Sequence, residues 1–148
     1  MIVGFTGPQN GMTEVQRPKV FKWLMTNASR IEEAHHGDCV GADEDFHNMC
    51  IKLLVPRIII HPPEDDSKRA YCGPVKGAKT QVVVLPTKPY LERNDDITAT
   101  SNMLIATPAQ ALEVQRSGTW ATIRYMKKRK KHVVAFHPET GLLMRVGK

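Results

Sequence analysis

The sequence predicts an α/β fold in which a mostly parallel sheet carries helices on both faces. Three observations lead there. Short apolar runs, several of them β-branched, recur along the chain: "IVGFT" (2–6), "RIIIHPP" (57–63), "NMLIATP" (102–108) and "HVVAFHP" (132–138). Stretches with helical spacing separate them, and glycine-bearing loops follow the strands. Strands that alternate with helices build parallel sheets, and right-handed crossovers fix their layout.

Each element has its own signal. "IVGFT" runs into Gly7, Pro8 and Gly11, as a buried strand entering a loop does. "TEVQ" (13–16) fits a capping box, with Thr13 as cap and Gln16 reaching back; Val20, Phe21, Leu24 and Met25 then continue at helical spacing. Pro18 falls just past the first turn, where it removes a hydrogen bond, so the helix starts later or bends there. "EEAHHG" (32–37) is a strand of weak propensity, assigned because glycine and a good helix follow it. In that helix Phe46, Met49, Cys50, Leu53 and Leu54 form one apolar stripe. The run 57–63 ends its strand at two prolines.

Residues 64–89 show no clear period. They suit a lid, a binding loop or an excursion, with "VVVL" (82–85) as a short strand and Gly73 and Gly77 as hinges. Beyond them come a short helix (90–101), the strand 102–108, a helix opening at a glycine (117–130) and the strand 132–138. "PETG" (138–141) turns the chain, and "LLMRV" (142–146) returns as a hairpin strand. There is no repeat or linker, and 148 residues suit one domain, 1–148.

Composition narrows the function class. Hydrophobic residues make up 41% and charged residues 24%, an ordinary globular balance. The apolar runs are far too short to span a membrane, and "MIVGFTG" is no signal peptide. Cys39, Cys50 and Cys72 cannot all pair within the chain, so a reducing cytoplasm is the expected location. The net charge of +6 is almost entirely the run Lys127–Lys131. That run ends a helix whose start faces the expected ligand edge, so it lies at the opposite edge of the sheet. Its simplest role is a solvated helix end that complements the helix dipole. Contact with nucleic acid, through phosphates, is the less favoured partner reading.

In an open parallel sheet, ligands bind beyond the carboxyl ends of the strands, where strand order reverses. Three glycine loops fall at such ends: "TGPQNG" after the first strand, "GDCVGAD" after the second and "RSGTW" after 102–108. Glycine admits close backbone approach, and helix N-termini offer free N–H groups and partial positive charge. Gly118 and Thr119 are therefore the first phosphate candidates, followed by Thr6, Gly7, Gln9 and Asn10.

The segment "HHGDCVGADEDFH" (35–47) invites a metal reading, which its geometry disfavours. His35 and His36 are adjacent and point to opposite faces of a strand, and Cys39 has no CxxC partner. Asp43 can cap the next helix, with Glu44 and Asp45 complementing that helix's positive end. Alternatively Asp38 or Asp43 accepts hydrogen bonds from ribose hydroxyls.

The segments "GFTGPQNGMTEVQ" (4–16), "HHGDCVGADEDFH" (35–47), "IIIHPP" (58–63), "YLERNDDITATSNMLIATP" (90–108) and "SGTWATIRYMKK" (117–128) together resemble the SLOG superfamily, the SMF/DNA-processing protein A and LOG proteins. "Gly-x-x-x-Gly-Ala-Asp", from Gly37 through Gly41 to Asp43, is among the more specific matches, with Arg93-Asn94 ahead of a strand that feeds Ser117-Gly118-Thr119. The resemblance implies a Rossmann-like domain with a five-stranded parallel core. It implies a pocket for a nucleotide or nucleotide-derived ligand such as NAD or ADP-ribose, with no separate cofactor required, and a homo-oligomer. Members include phosphoribohydrolases that cleave a base from a nucleoside monophosphate, suspected sensors, and single-stranded-DNA binders.

One departure bears on catalysis. The hydrolase branch carries "PGGxGTxxE", whose glutamate is the catalytic carboxylate. Here the run is Arg116-Ser117-Gly118-Thr119-Trp120-Ala121-Thr122, with Thr122 in the glutamate's place. Glycoside cleavage needs a carboxylate. Either the activity is lost and the chain binds or senses its ligand, or another carboxylate takes over, with Asp43, Glu92, Asp95 and Asp96 as candidates. Arg93 matches the family's arginine and would hold a phosphate, or else pair with Glu92 or Asp96 at the surface. Trp23 and Trp120 read as core residues first; Trp120, Tyr71 and Tyr90 are the candidates for stacking on a base.

Overall fold

The computed structural model describes residues 1–146. The chain passes through β1 (Ile2–Thr6), α1 (Gln16–Asn27), β2 (Glu33–His36), α2 (Ala42–Lys52), β3 (Arg57–Ile60) and β4 (Gln81–Val84). It continues through α3 (Tyr90–Thr100), β5 (Met103–Ala106), α4 (Gly118–Lys128), β6 (His132–Phe136) and β7 (Leu143–Met144). All these strands join one seven-stranded sheet in the order β4-β3-β2-β1-β5-β6-β7. β1 to β6 run parallel, and β7 returns antiparallel on β6 as the expected hairpin strand. The expected five-stranded core is thus one strand short. The aperiodic stretch after β3 carries the chain back to the amino edge, where the Gln81 N–H donates to the Pro56 carbonyl, and β4 enters parallel.

Alternation along the strands supplies two cores. Val3, Phe5, Ala34, Ile58, Ile60, Met103 and Ile105 face α1 and α2. Leu104, Ala106 and Ala135 face α4, with Trp120, Ile123 and Met126. Strands covered on both sides carry near-continuous apolar runs for this reason. α3 packs beside α4, over β1. The stripe on α2 ends earlier than its spacing predicts. The helix stops at Lys52, Leu54 takes φ +61 and is 64% exposed, and Val55 enters the core in its place.

The capping box forms. The Thr13 N–H donates to Gln16 Oε1 (2.9 Å) and the Gln16 N–H to Thr13 Oγ1 (3.2 Å). Because the helix begins at Gln16, Pro18 lies in its first turn, where an N–H would have no partner in any case; no bend is needed. The Gln16 side chain is fully buried, and its Nε2 donates to the carbonyls of Pro108 (2.9 Å) and Phe136 (2.8 Å). One amide thereby ties the start of α1, which follows β1, to the exits of β5 and β6, across the point where strand order turns.

Gln16→Leu keeps the size of the side chain and removes both donors. Stranding two buried carbonyls should cost about 3 kcal/mol and lower the melting midpoint by roughly 10 °C. A midpoint within 2–3 °C of the parent, by circular dichroism, would show that this tie contributes nothing measurable.

Candidate functional site

β1 and β5 are neighbours in the sheet, while the chain leaves β1 towards β2 and leaves β5 towards β6. Their exits part at the carboxyl edge, and a cleft of about 420 Å³ opens there. Thr6, Gly7, Gln9 and Asn10 form one wall, and Gly37 and Asp43 a second. Arg93 and Asn94 from the first turns of α3 form a third, and Ser117, Gly118 and Thr119 at the start of α4 a fourth. The three glycine loops therefore meet at one rim. Cys39, Arg116 and Tyr90 also reach the cleft, as do Asp65 and Lys68 from the aperiodic stretch. The sequence offers that stretch as a lid, a binding loop or an excursion, but with no periodic signal it does not say which of its residues reach the cleft.

Three of the loop glycines answer to packing. A Cβ on Gly7 would stand 2.5 Å from the side chains of Ala42 and Thr107. On Gly37 it would enter the Arg93 guanidinium. Gly41 has φ +89, and a Cβ there would collide with the Gln9 carbonyl. Gly41 does not line the cleft; it lets the second loop close on the first, where the Ala42 N–H donates to the Pro8 carbonyl (3.1 Å). Gly118 is different. A Cβ there would meet only Tyr90 Cε2, at 3.7 Å, an ordinary contact.

Arg93 is 5% exposed. Its Nε donates to Asn94 Oδ1, its Nη1 to the carbonyls of Gly37 and His61, and its Nη2 to Cys39 Sγ (3.2 Å). Four of the five N–H bonds of the guanidinium are spent in this way. Among the described residues no carboxylate pairs with it, so the expected surface ion pair is not formed. Glu92 and Asp96 turn to Lys88 instead (3.9 and 2.6 Å), and Asp96, a candidate catalytic carboxylate, does not line the cleft. Asp95 pairs with Arg129.

Asp43 is not the helix cap, since Gly41 holds that position. Its Oδ2 accepts the N–H groups of Gly37 and Cys39, both at 3.2 Å, which fixes the loop between them. Burial pushes its carboxyl up to about 6, while Arg93 and the two N–H donors pull the other way. Asp38, the other ribose candidate, is fully buried and away from the cleft. It takes φ +58, and its carboxylate accepts from Arg69 Nε and the Cys72 N–H, both at 2.8 Å. Its own carbonyl accepts from the Ala70 N–H (2.7 Å). Asp38 pins residues 69–72 against the second loop.

His35 and His36 point to opposite faces, as the strand requires. The Asp38 N–H donates to His36 Nδ1 (3.0 Å), which assigns the ring proton to Nε2; that proton goes to His47 Nδ1 (2.9 Å), and His47 Nε2–H donates to the Gly73 carbonyl (3.0 Å). His36, His47 and Cys72 bring donor atoms within 4.8 Å of one another. With Nδ1 already accepting, however, His36 could ligate a cation only as an imidazolate. On the other face His35 bridges Glu33 and His61, both at 2.7 Å.

Trp120 is buried in the α4 core with its Nε1–H on the Gln110 carbonyl, so it offers no face to a ligand. The basic run lies away from the cleft, as predicted, but part of its charge serves a neighbouring helix. Lys131 Nζ donates to the carbonyls of Thr98, Ala99 and Ser101 at the end of α3. Among the described residues no helix is long and apolar enough to cross a membrane.

No family model matches the sequence, and no curated protein matches it. Solved structures do. A molybdenum cofactor binding protein from Rippkaea orientalis superposes with a TM-score of 0.67 at 17% identity, over 92% of this chain and 76% of that one. The molybdenum cofactor carrier protein of Chlamydomonas reinhardtii gives 0.64 at 20%, over 91% and 75%. DNA processing protein A from Streptococcus pneumoniae gives 0.67 at 15%, over 90% of this chain and 49% of that one. The chain thus has the Rossmann-like fold that its resemblance to the SLOG superfamily implies.

The buried histidines set a pH dependence. Burial holds His36 well below its usual range, lowers His35 and His47, and brings His61 to about 4. The unfolded chain takes up protons below about 6.5 that the folded chain refuses. Their contribution is complete above that pH and is lost as pH falls towards the folded values. Asp43, raised to about 6, works the other way between about 6 and 4, but it is one group against four. The melting midpoint should fall between pH 7.5 and 5, and the fall should be shallower in His47→Gln. Parallel profiles for the two proteins would remove the histidines from the account.

Proposed function

We propose that this chain binds a nucleotide or nucleotide-derived phosphate ester in the cleft between the β1, β2 and β5 loops. The observation that carries the reading is Gly118. The fold does not require glycine there: a Cβ would make only an ordinary contact with the Tyr90 ring, at 3.7 Å, and alanine is the better helix former. Glycine at the first position of a helix, facing a cleft, lets a ligand approach the backbone closely. Ser117 Oγ already accepts from the Trp120 N–H (3.2 Å), so among the described residues the N–H groups of Gly118 and Thr119 are the donors without a partner at that end. Two donors at a helix N-terminus, with Arg116 beside them and the buried Arg93 in the same cleft, suit an anion. Further support comes from the likeness of the fold to a molybdenum cofactor binding protein and a molybdenum cofactor carrier protein. The homo-oligomer that the resemblance implies is part of the proposal, and sedimentation of the purified chain tests it.

A second reading, N-glycoside hydrolysis, has one observation in its favour. Asp43 is a buried carboxyl in the cleft, raised to about 6, and among the described residues its Oδ1 has no hydrogen-bond partner. Against it stands Thr122, fully buried with its hydroxyl on the Gly118 carbonyl (2.9 Å), which cannot replace the missing glutamate. Binding is the better-supported function.

Thermal shift and calorimetry with AMP and ADP-ribose test the proposal. Either ligand at millimolar concentration should raise the melting midpoint. Gly118→Ala should leave the unliganded midpoint unchanged or raised, by up to ~1 kcal/mol in stability, and weaken binding about tenfold. The reading fails if neither ligand stabilises the protein, or if the alanine variant binds as the parent does. Chromatography of the same mixtures covers the second reading: free base released by the parent and not by Asp43→Asn would establish hydrolysis.

A further inference from the structure

We infer that Tyr90 is the residue that selects for a ring: the cleft takes phosphate esters that carry a planar heterocycle in preference to the sugar phosphate alone. This rests on the nucleotide reading above. Two aromatic rings line the cleft. Phe5 is buried and stacks on Phe46, with centroids 4.4 Å apart, so the core has consumed it. Tyr90 is 50% exposed, belongs to neither core cluster, and among the described residues no hydrogen bond engages its hydroxyl.

The other candidate aromatics are committed elsewhere. Tyr71 donates its hydroxyl to Asp66 and carries Arg69 on its ring. Trp120 lies in the α4 core. Local structure holds Tyr90 where it is. Pro89 precedes it with φ −51, and Tyr90 opens α3 one turn ahead of Arg93, whose buried side chain anchors that turn. Its ring edge stands 3.7 Å from the point where a Cβ on Gly118 would be, an ordinary contact distance. The open ring therefore borders the two free N–H donors of α4. An anion at those donors and a ring on Tyr90 would belong to one small molecule.

A half-exposed aromatic at a cleft edge offers its face to any base, because every base has a π-face. Selection of this kind is for the presence of a ring, not for its hydrogen-bonding pattern. AMP, GMP and UMP should then bind within a few-fold of one another, and ribose 5-phosphate at least tenfold more weakly.

The experiment is calorimetric titration of those four compounds into the parent, Tyr90→Ala and Tyr90→Phe. Tyr90→Ala should weaken the three nucleotides about tenfold and leave ribose 5-phosphate unchanged. Tyr90→Phe should retain nucleotide affinity, since the ring and not the hydroxyl is at issue. The inference is overturned if Tyr90→Ala weakens ribose 5-phosphate as much as AMP, if it leaves AMP unchanged, or if the parent does not distinguish the two. Failure of all four compounds to bind the parent would bring down the nucleotide reading and this inference together. Nucleotide binding that ignores Tyr90 would bring down this inference alone.

Discussion

A guanidinium is buried in the wall of the cleft with no carboxylate of the described residues touching it, and much of the site follows from how Arg93 is accommodated. Burying a charge is costly unless hydrogen bonds replace its water. Here backbone carbonyls at the exits of β2 and β3, the Asn94 amide and a thiol supply four partners. The nearby Asp43 contributes opposite charge through space rather than by contact. Only glycine at position 37 leaves the volume the guanidinium fills. Arg93 therefore sets the distance between α3 and the two strand exits, and with it the placement of Tyr90 and Asn94 along the rim. Its one uncommitted N–H is on Nη2.

The second support of the rim is the clamp on the stretch between β3 and β4. Asp38 spends its amide, its carbonyl and both carboxylate oxygens within the protein, and three of those bonds go to residues 69–72. The Val40 N–H adds a bond to the Lys68 carbonyl, and His47 reaches the Gly73 carbonyl. A segment held by so many bonds is a wall and not a free lid, at least from Lys68 to Gly73. Gly77, whose Cβ position is open, lies beyond the clamp and nearer the return to β4.

The sequence makes the architecture legible because strand and helix periods differ, and because glycine and proline punctuate them. The convergence of three loops follows from topology alone once β1 is central. What escapes such a reading is the direction of individual side chains. Asp38 and Asp43 are both acidic residues of one loop, and spacing cannot say that the left-handed backbone at Asp38 turns its carboxylate inward. Gly41 resembles a ligand-contacting glycine, but its role is the approach of two loops. Asp96 is one turn from Arg93, yet Lys88, from a stretch without periodicity, claims it. The adjacent histidines look like metal ligands until the strand separates them and the Asp38 amide fixes the tautomer of one. Tyr90 was visible as a candidate; what could not be seen is that every competing aromatic has other work.

The same geometry separates holding a ligand from cleaving one. Thr122 occupies the inward turn of α4 where the resemblance would put a glutamate, and its hydroxyl closes on the helix's own carbonyl. That bond makes the position part of the helix rather than of the cleft. Two carboxyls line the cleft: Asp65, whose Oδ1 accepts from the Ser67 N–H and hydroxyl, and Asp43, which as an anion has a structural duty, because the N–H groups of Gly37 and Cys39 both depend on its Oδ2. A group that must accept a proton during a reaction would weaken those two bonds each time it did so and loosen the loop that shapes the site. Arg93, bound to the carbonyl of Gly37, would loosen with it. A carboxylate that keeps its proton state constant preserves the loop. The arrangement is in keeping with the proposed binding of an anionic ligand, which would leave these bonds intact.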